Sequence, residues 1–165
     1  MSRSIGWGST SRGDFGRAME LLRESEAALR ETEDTFSLAN NLNIQATISQ
    51  LKDDDARTAA LFRESVELSA ALRDTWALIY GLIGLAGVAT RHGDPERAAR
   101  LFGAAEALGE AASVAPSFPP TQALYERDLA DARSKLDAQT FAAAWAEGRA
   151  MTPQEAVAEA LTENG

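Results

Sequence analysis

The residues that could do chemistry are few and scattered. His92 is the only histidine, and it stands just before Gly93-Asp94. Ser/His/Asp catalysis would have to use it, yet no nucleophile is marked by an elbow motif, and a polar turn residue is the plainer reading. The absence of cysteine removes disulfides, thiolate metal sites and thiol nucleophiles together. Asp53-Asp54-Asp55 offers clustered oxygens of the kind a hard cation wants, but the glycine and distal glutamate of a calcium loop are missing. A solvated helix start, where acids meet the positive end of the dipole, accounts for that run instead. Lys52 and Lys135 are the only lysines and neither follows glycine, so no loop cradles a nucleotide phosphate. Glu24, Glu26, Glu31, Glu33 and Asp34 fall on outer helix faces, with nothing to pair them across a cleft for general acid/base work. The expectation is a non-enzymatic chain with no cofactor and no metal.

Charge and composition narrow the partners. In 165 residues, 16 basic side chains face 25 acidic ones, a net charge of −9, which repels nucleic-acid phosphates unless basic groups gather on one face. Arg23, Arg63, Arg97 and Arg100 recur along the chain, and helix-surface ion pairs such as Glu20 with Arg23 are the reading preferred over an anion site. Trp76 and Trp145, at helical spacing among apolar neighbours, read as core, and Trp7 as a further candidate platform. The apolar run from Trp76 to Ala89 is broken by three glycines and is shorter than the roughly 20 residues that span a bilayer. Residues 1–12 carry no continuous apolar segment of the secretory kind. A cytoplasmic protein with no membrane contact and no direct nucleic-acid contact is therefore expected.

The elements that must position any site follow a period. Leu21-Leu22-Arg23-Glu24-Ser25 returns as Leu61-Phe62-Arg63-Glu64-Ser65 and more loosely as Leu101-Phe102-Gly103-Ala104-Ala105, an offset of 61 − 21 = 101 − 61 = 40. Asp34-Thr35-Phe36 matches Asp74-Thr75-Trp76, and Gly13-Asp14 matches Gly93-Asp94 with Asp53-Asp54 between them. Ala18, Leu21, Leu22, Ser25, Ala28 and Leu29 follow helical spacing, while Leu78, Ile79, Leu82, Ile83, Leu85, Ala86 and Ala89 mark a more deeply buried helix. Gly81, Gly84 and Gly87 would let neighbouring backbones approach it. Asp14, Asp34 or Thr35, Asp54, Asp74 or Thr75, and Asp94 are candidate N-caps, and Thr152-Pro153-Gln154-Glu155 is a capping box. Pro116, Pro119 and Pro120 break the rhythm, and no stretch alternates as a strand does.

This hairpin anatomy resembles the tetratricopeptide repeat in its longer, roughly forty-residue variety. Ile5-Gly6, Gly13-Asp14, Ala18, Leu22 and Ser25 occupy the pattern's places in order, and Leu85-Ala86, Gly93-Asp94, Ala98, Phe102 and Ala105 do so again. The middle unit departs from it with Gln45-Ala46, Asp53-Asp54, Thr58, Phe62 and Ser65. The stretch from Glu96 to Leu108, then Tyr125-Glu126-Arg127, Phe141 to Ala150 and Thr152 to Leu161, is similar to the C-terminal end of bacterial signalling ATPase regulators of the MalT, LuxR, AfsR and cyclase-linked types. The resemblance implies the regulatory end of a larger transcriptional regulator or signalling ATPase, an array that binds a partner or inducer and carries no catalysis.

The expected fold is all-α: a right-handed superhelical stack of TPR-like helical hairpins with C-terminal capping helices. Residues 1–12 would be a partial first helix or a disordered start. Residues 13–161 would form one domain, with repeats at about 13–52, 53–92 and 93–112, a connector at 113–120, capping helices at 121–161, and a tail at 162–165. The concave surface of such an array binds extended partners. By the family's pattern its groove positions fall on Asn40, Asn43, Thr47 and Gln50, and on Tyr80, Ile83, Thr90 and Arg91. Amides could meet an extended backbone there and Arg91 a carboxylate, which suits a protein or peptide partner, with a small-molecule inducer in the same groove as the alternative. The open N-terminal repeat edge is a candidate surface for a homo-oligomer.

Overall fold

The computed structural model describes residues 11–113 and 119–162. Expectations for residues 1–10 (Trp7 among them), 114–118 and 163–165 fall outside the described residues. Eight helices follow one another: α1 Ser11–Glu31, α2 Thr35–Leu51, α3 Asp55–Leu72, α4 Thr75–Arg91, α5 Pro95–Ala112, α6 Pro119–Ser134, α7 Ala138–Arg149 and α8 Pro153–Leu161. The protein is all-α, and its neighbouring helices pack as stacked hairpins.

The helix boundaries are set by one short device used repeatedly. Asp34, Asp54, Asp74 and Asp94 each accept the backbone N–H three residues on, at 3.0–3.3 Å, and so satisfy a donor that the first turn leaves free. The residue before each cap, Glu33, Asp53, Arg73 and Gly93, has positive φ, as does Ser113 after α5. These five lie at one spacing, 53 − 33 = 73 − 53 = 93 − 73 = 113 − 93 = 20. The forty-residue period of the sequence is thus two turns of a twenty-residue ruler: helix, one left-handed residue, aspartate, helix. Asp14 departs from the expected pattern. It lies inside the first turn of α1 and not before it, where its charge still faces free N–H groups. Proline at positions 119 and 120 opens α6, because a first turn does not need those N–H donors.

The core runs along the α3/α4/α5 seam. Leu82, Leu101, Phe102 and Val66 are fully buried, and every residue from Gly81 to Thr90 is buried. Gly81 and Gly84 make this seam tight: a Cβ on the first would meet Val66 and one on the second the ring of Phe62. The equivalent pairs Thr58/Phe62 and Ala98/Phe102 are buried, whereas Ala18 and Leu22 in α1 are only half-buried because α1 packs chiefly on α2.

The C-terminal helices do not stack as a further hairpin. Helix α7 lies along α5, α6 crosses α4 and α5 on the side of α2, and α8 drops between α3 and α5 against α4. Gly103 and Gly148 set the α5/α7 seam, since a Cβ on either would press into the partner's backbone at Trp145 and Arg100 respectively. Helix α8 is held by Arg97. Its Nη2 donates to the carbonyls of Glu159, Ala160 and Thr162 at 2.7, 3.1 and 2.6 Å, meeting the unsatisfied end of that helix. The surface-pair reading of this arginine is corrected here, since Arg97 is only 7 % exposed.

Candidate functional site

Helices α2 and α4 are parallel members of successive units, and their exposed stripes lie side by side. The stripe of α2 runs Phe36, Asn40, Ile44, Thr47 and Leu51, and the matching stripe of α4 runs Trp76, Tyr80 and Arg91, with Gly87 buried between the last two. Helix α6 covers the C-terminal half of the α4 stripe and reaches α2 at Gln50, leaving the N-terminal half of the face with Phe36 and Trp76 open, and Leu51 at the end of α2 exposed as well.

In the covered half the chemistry is internal. Asp128 of α6 accepts from Gln50 Nε2 at 2.8 Å, lies 3.7 Å from Arg91 Nη1, and accepts from Arg127 at 3.1 Å. Arg91 Nε donates to Asp55 at 2.8 Å, so this guanidinium ties α4 to α3 as well as to α6. Lys135 donates to the carbonyl of Thr90 at 3.1 Å, while the Thr90 hydroxyl turns back on Ala86. Gly87 makes the close approach of Asp128 possible, because a Cβ there would fall on the carboxylate. Ile83, Leu124 and Tyr125 fill the seam, where only about 10 Å³ remains, room for no more than one water. Burial pushes the Tyr125 phenol above its ordinary range, with Glu106 adding to the effect.

In the open half the chemistry is aromatic. Phe36 is 59 % exposed and Trp76 39 % exposed. The expectation that Trp76 is core is corrected: it stands at the first turn of α4, beyond the reach of α6, and its ring meets Tyr80 at 5.4 Å. Asn40 donates to the carbonyl of Phe36 and Thr47 to that of Asn43, both within α2. Asn43 is buried and donates to the carbonyl of Ala77 at 3.1 Å, binding α2 to α4.

Of the eight residues read as groove positions, then, Asn40 and Tyr80 border the open half, and Thr47 lies at the boundary. Gln50, Ile83, Thr90 and Arg91 sit beneath or beside α6, and Asn43 lies between the helices. Sequence reasoning passed over Phe36 as a site residue, although its match to Trp76 in the forty-residue register was the available sign. Asp128 carried no sign at all, being one acid among many on α6. Three further residues weighed for chemistry have structural places: His92 is exposed in the turn after α4, Asp54 caps α3, and Asp55 pairs with Arg91. Among the described residues no group of three histidine or acidic side chains is placed to hold a metal, and no helix is long and apolar enough to cross a membrane.

No family model matches the chain, and neither the curated proteins nor the solved structures give a match.

Proposed function

We propose that the chain is a non-enzymatic interaction module of the tetratricopeptide-like kind, which binds a protein segment along the open half of the α2/α4 face. The observation that carries this reading is the exposed aromatic pair Phe36 and Trp76, repeated in register on neighbouring helices and backed by Tyr80. Aromatic side chains held on a rigid scaffold bury large area at small entropic cost, which makes them anchors for a partner. The surroundings set the partner's chemistry. Asp34 and Asp74 stand two residues before the two rings, and the whole chain carries −9, so the favoured segment combines apolar anchors with flanking lysine or arginine. A regulatory role inside a larger bacterial regulator rests on the sequence resemblance alone.

A peptide-display selection against the chain tests this. It should yield segments that pair aliphatic or aromatic anchors with basic residues, and Phe36→Ala with Trp76→Ala should weaken them at least about tenfold, as expected for truncation of interface anchors. Both changes are at exposed positions, so the helical fold should survive them. Binders that ignore the double variant, or a selection that returns none, would remove the assignment.

A further inference from the structure

On the other side of the molecule the seat of α8 is incomplete. Its first turn stands off the α3/α4 turn and α5, leaving an open cleft of about 520 Å³, within the size range of small-molecule sites. The floor is apolar, formed by Leu78, Leu108 and Val157. The polar groups on its wall are Ser69, whose hydroxyl donates to the carbonyl of Ser65, with Arg73, Thr75 and Gln154, and Arg73 is the one charged lining residue. In a chain with nine more acids than bases, no carboxylate lines this cleft. Seven basic groups elsewhere, Arg30, Arg91, Arg97, Arg100, Arg127, Lys135 and Arg149, hold carboxylates or carbonyls. The Arg73 backbone N–H closes α3 on the carbonyl of Ala70, whereas its guanidinium makes no hydrogen bond or ion pair among the described residues. The residue occupies the left-handed position after α3, at φ 56°, ψ 34°, which carries its side chain out of the helix and to the cleft.

We infer that this cleft binds a small amphipathic carboxylate, its apolar body lying on Leu78, Leu108 and Val157 and its carboxylate on the Arg73 guanidinium. A planar guanidinium matches a carboxylate with two parallel N–H donors, and Thr75 and Gln154 can supply further donors at the wall. One cation suits a singly charged head group. A phosphate ester, with up to two charges, would find a single compensating group and an apolar floor. The site is separate from the α2/α4 face and does not depend on the peptide-binding reading.

Octanoate serves as the probe, with 1-octanol as its uncharged counterpart, each titrated calorimetrically into the full chain. Octanoate should bind saturably at one site. Arg73→Gln, which alters an exposed side chain and leaves the core intact, should weaken it at least about tenfold, the scale of a charge-assisted bond, and leave 1-octanol unchanged. Val157→Phe, which fills the floor, should abolish both, with circular dichroism confirming an unchanged helix content. If octanoate shows no saturable binding, or binds Arg73→Gln as it binds the parent chain, the inference is overturned. Equal affinity for octanoate and 1-octanol overturns it as well, leaving an apolar gap without charge selection. A folded Phe36→Ala/Trp76→Ala chain should bind octanoate unchanged, which keeps the two sites experimentally distinct.

Discussion

Single atoms decide how closely these helices approach, and glycine marks the places. At Gly148 a Cβ would collide with the backbone of Arg100, and backbone cannot swing aside as a flexible side chain can. Gly16, in α1, has nothing within 4 Å of the same added carbon. Alanine improves helix propensity by about 1 kcal/mol at either place, so the two substitutions separate propensity from packing. Gly16→Ala should therefore raise stability by up to about 1 kcal/mol, and Gly148→Ala should lower it by about 2 kcal/mol or more once the overpacking cost is set against the same gain. Urea denaturation of the two variants reads both signs. A stabilised Gly148→Ala would mean that α5 and α7 are not in backbone contact.

At the level of elements, the informative case is α6, which is seated by a carboxylate in a notch. Gly87→Ala would put a methyl where Asp128 now reaches Gln50 and should lift α6 while leaving α3, α4 and α5 in place. The expected result is faster amide exchange across α6 with a loss of about 1–3 kcal/mol, and little change in exchange in α3 or α5. Uniform acceleration through every helix would show instead that α6 is part of one cooperative unit. The helices themselves were legible in the sequence. Asp34, Asp54, Asp74 and Asp94 named their starts, because an N-cap is a local contract between one side chain and the N–H three residues on. The stacking face was legible too, through Leu78, Leu82 and Phe102 and the small residues opposite them. What the sequence hid was the seat of α6. Gln50 and Asp128 are 78 residues apart, and no periodicity connects them. The same gap explains why four groove positions of the repeat pattern proved to be covered by the chain itself, and why Trp76, just past the end of that cover, is open.

For the molecule as a whole, α6, α7 and α8 close the stack on three sides. Without them Leu101, Phe102 and the α3/α5 valley would face water, along with Arg97, which would lose its three carbonyls. A chain ending at Ser113 should therefore aggregate, or melt at a markedly lower temperature, since terminal units of a helical stack need a polar outer face to remain soluble. Light scattering with thermal denaturation checks this, and a monodisperse truncated chain with an unchanged melting temperature would show that the stack closes itself. The reach of Arg97 also sets a clock on biosynthesis. Its farthest acceptor, Thr162, lies 162 − 112 = 50 residues beyond the end of α5, so at roughly 5–20 residues per second the ribosome needs about 2.5–10 s after completing α5 to deliver it. Helical hairpins form in a small fraction of that time. The nascent chain must therefore wait with its first five helices assembled and one flank still bare, and in that interval it is a client for whatever chaperone meets it at the tunnel exit.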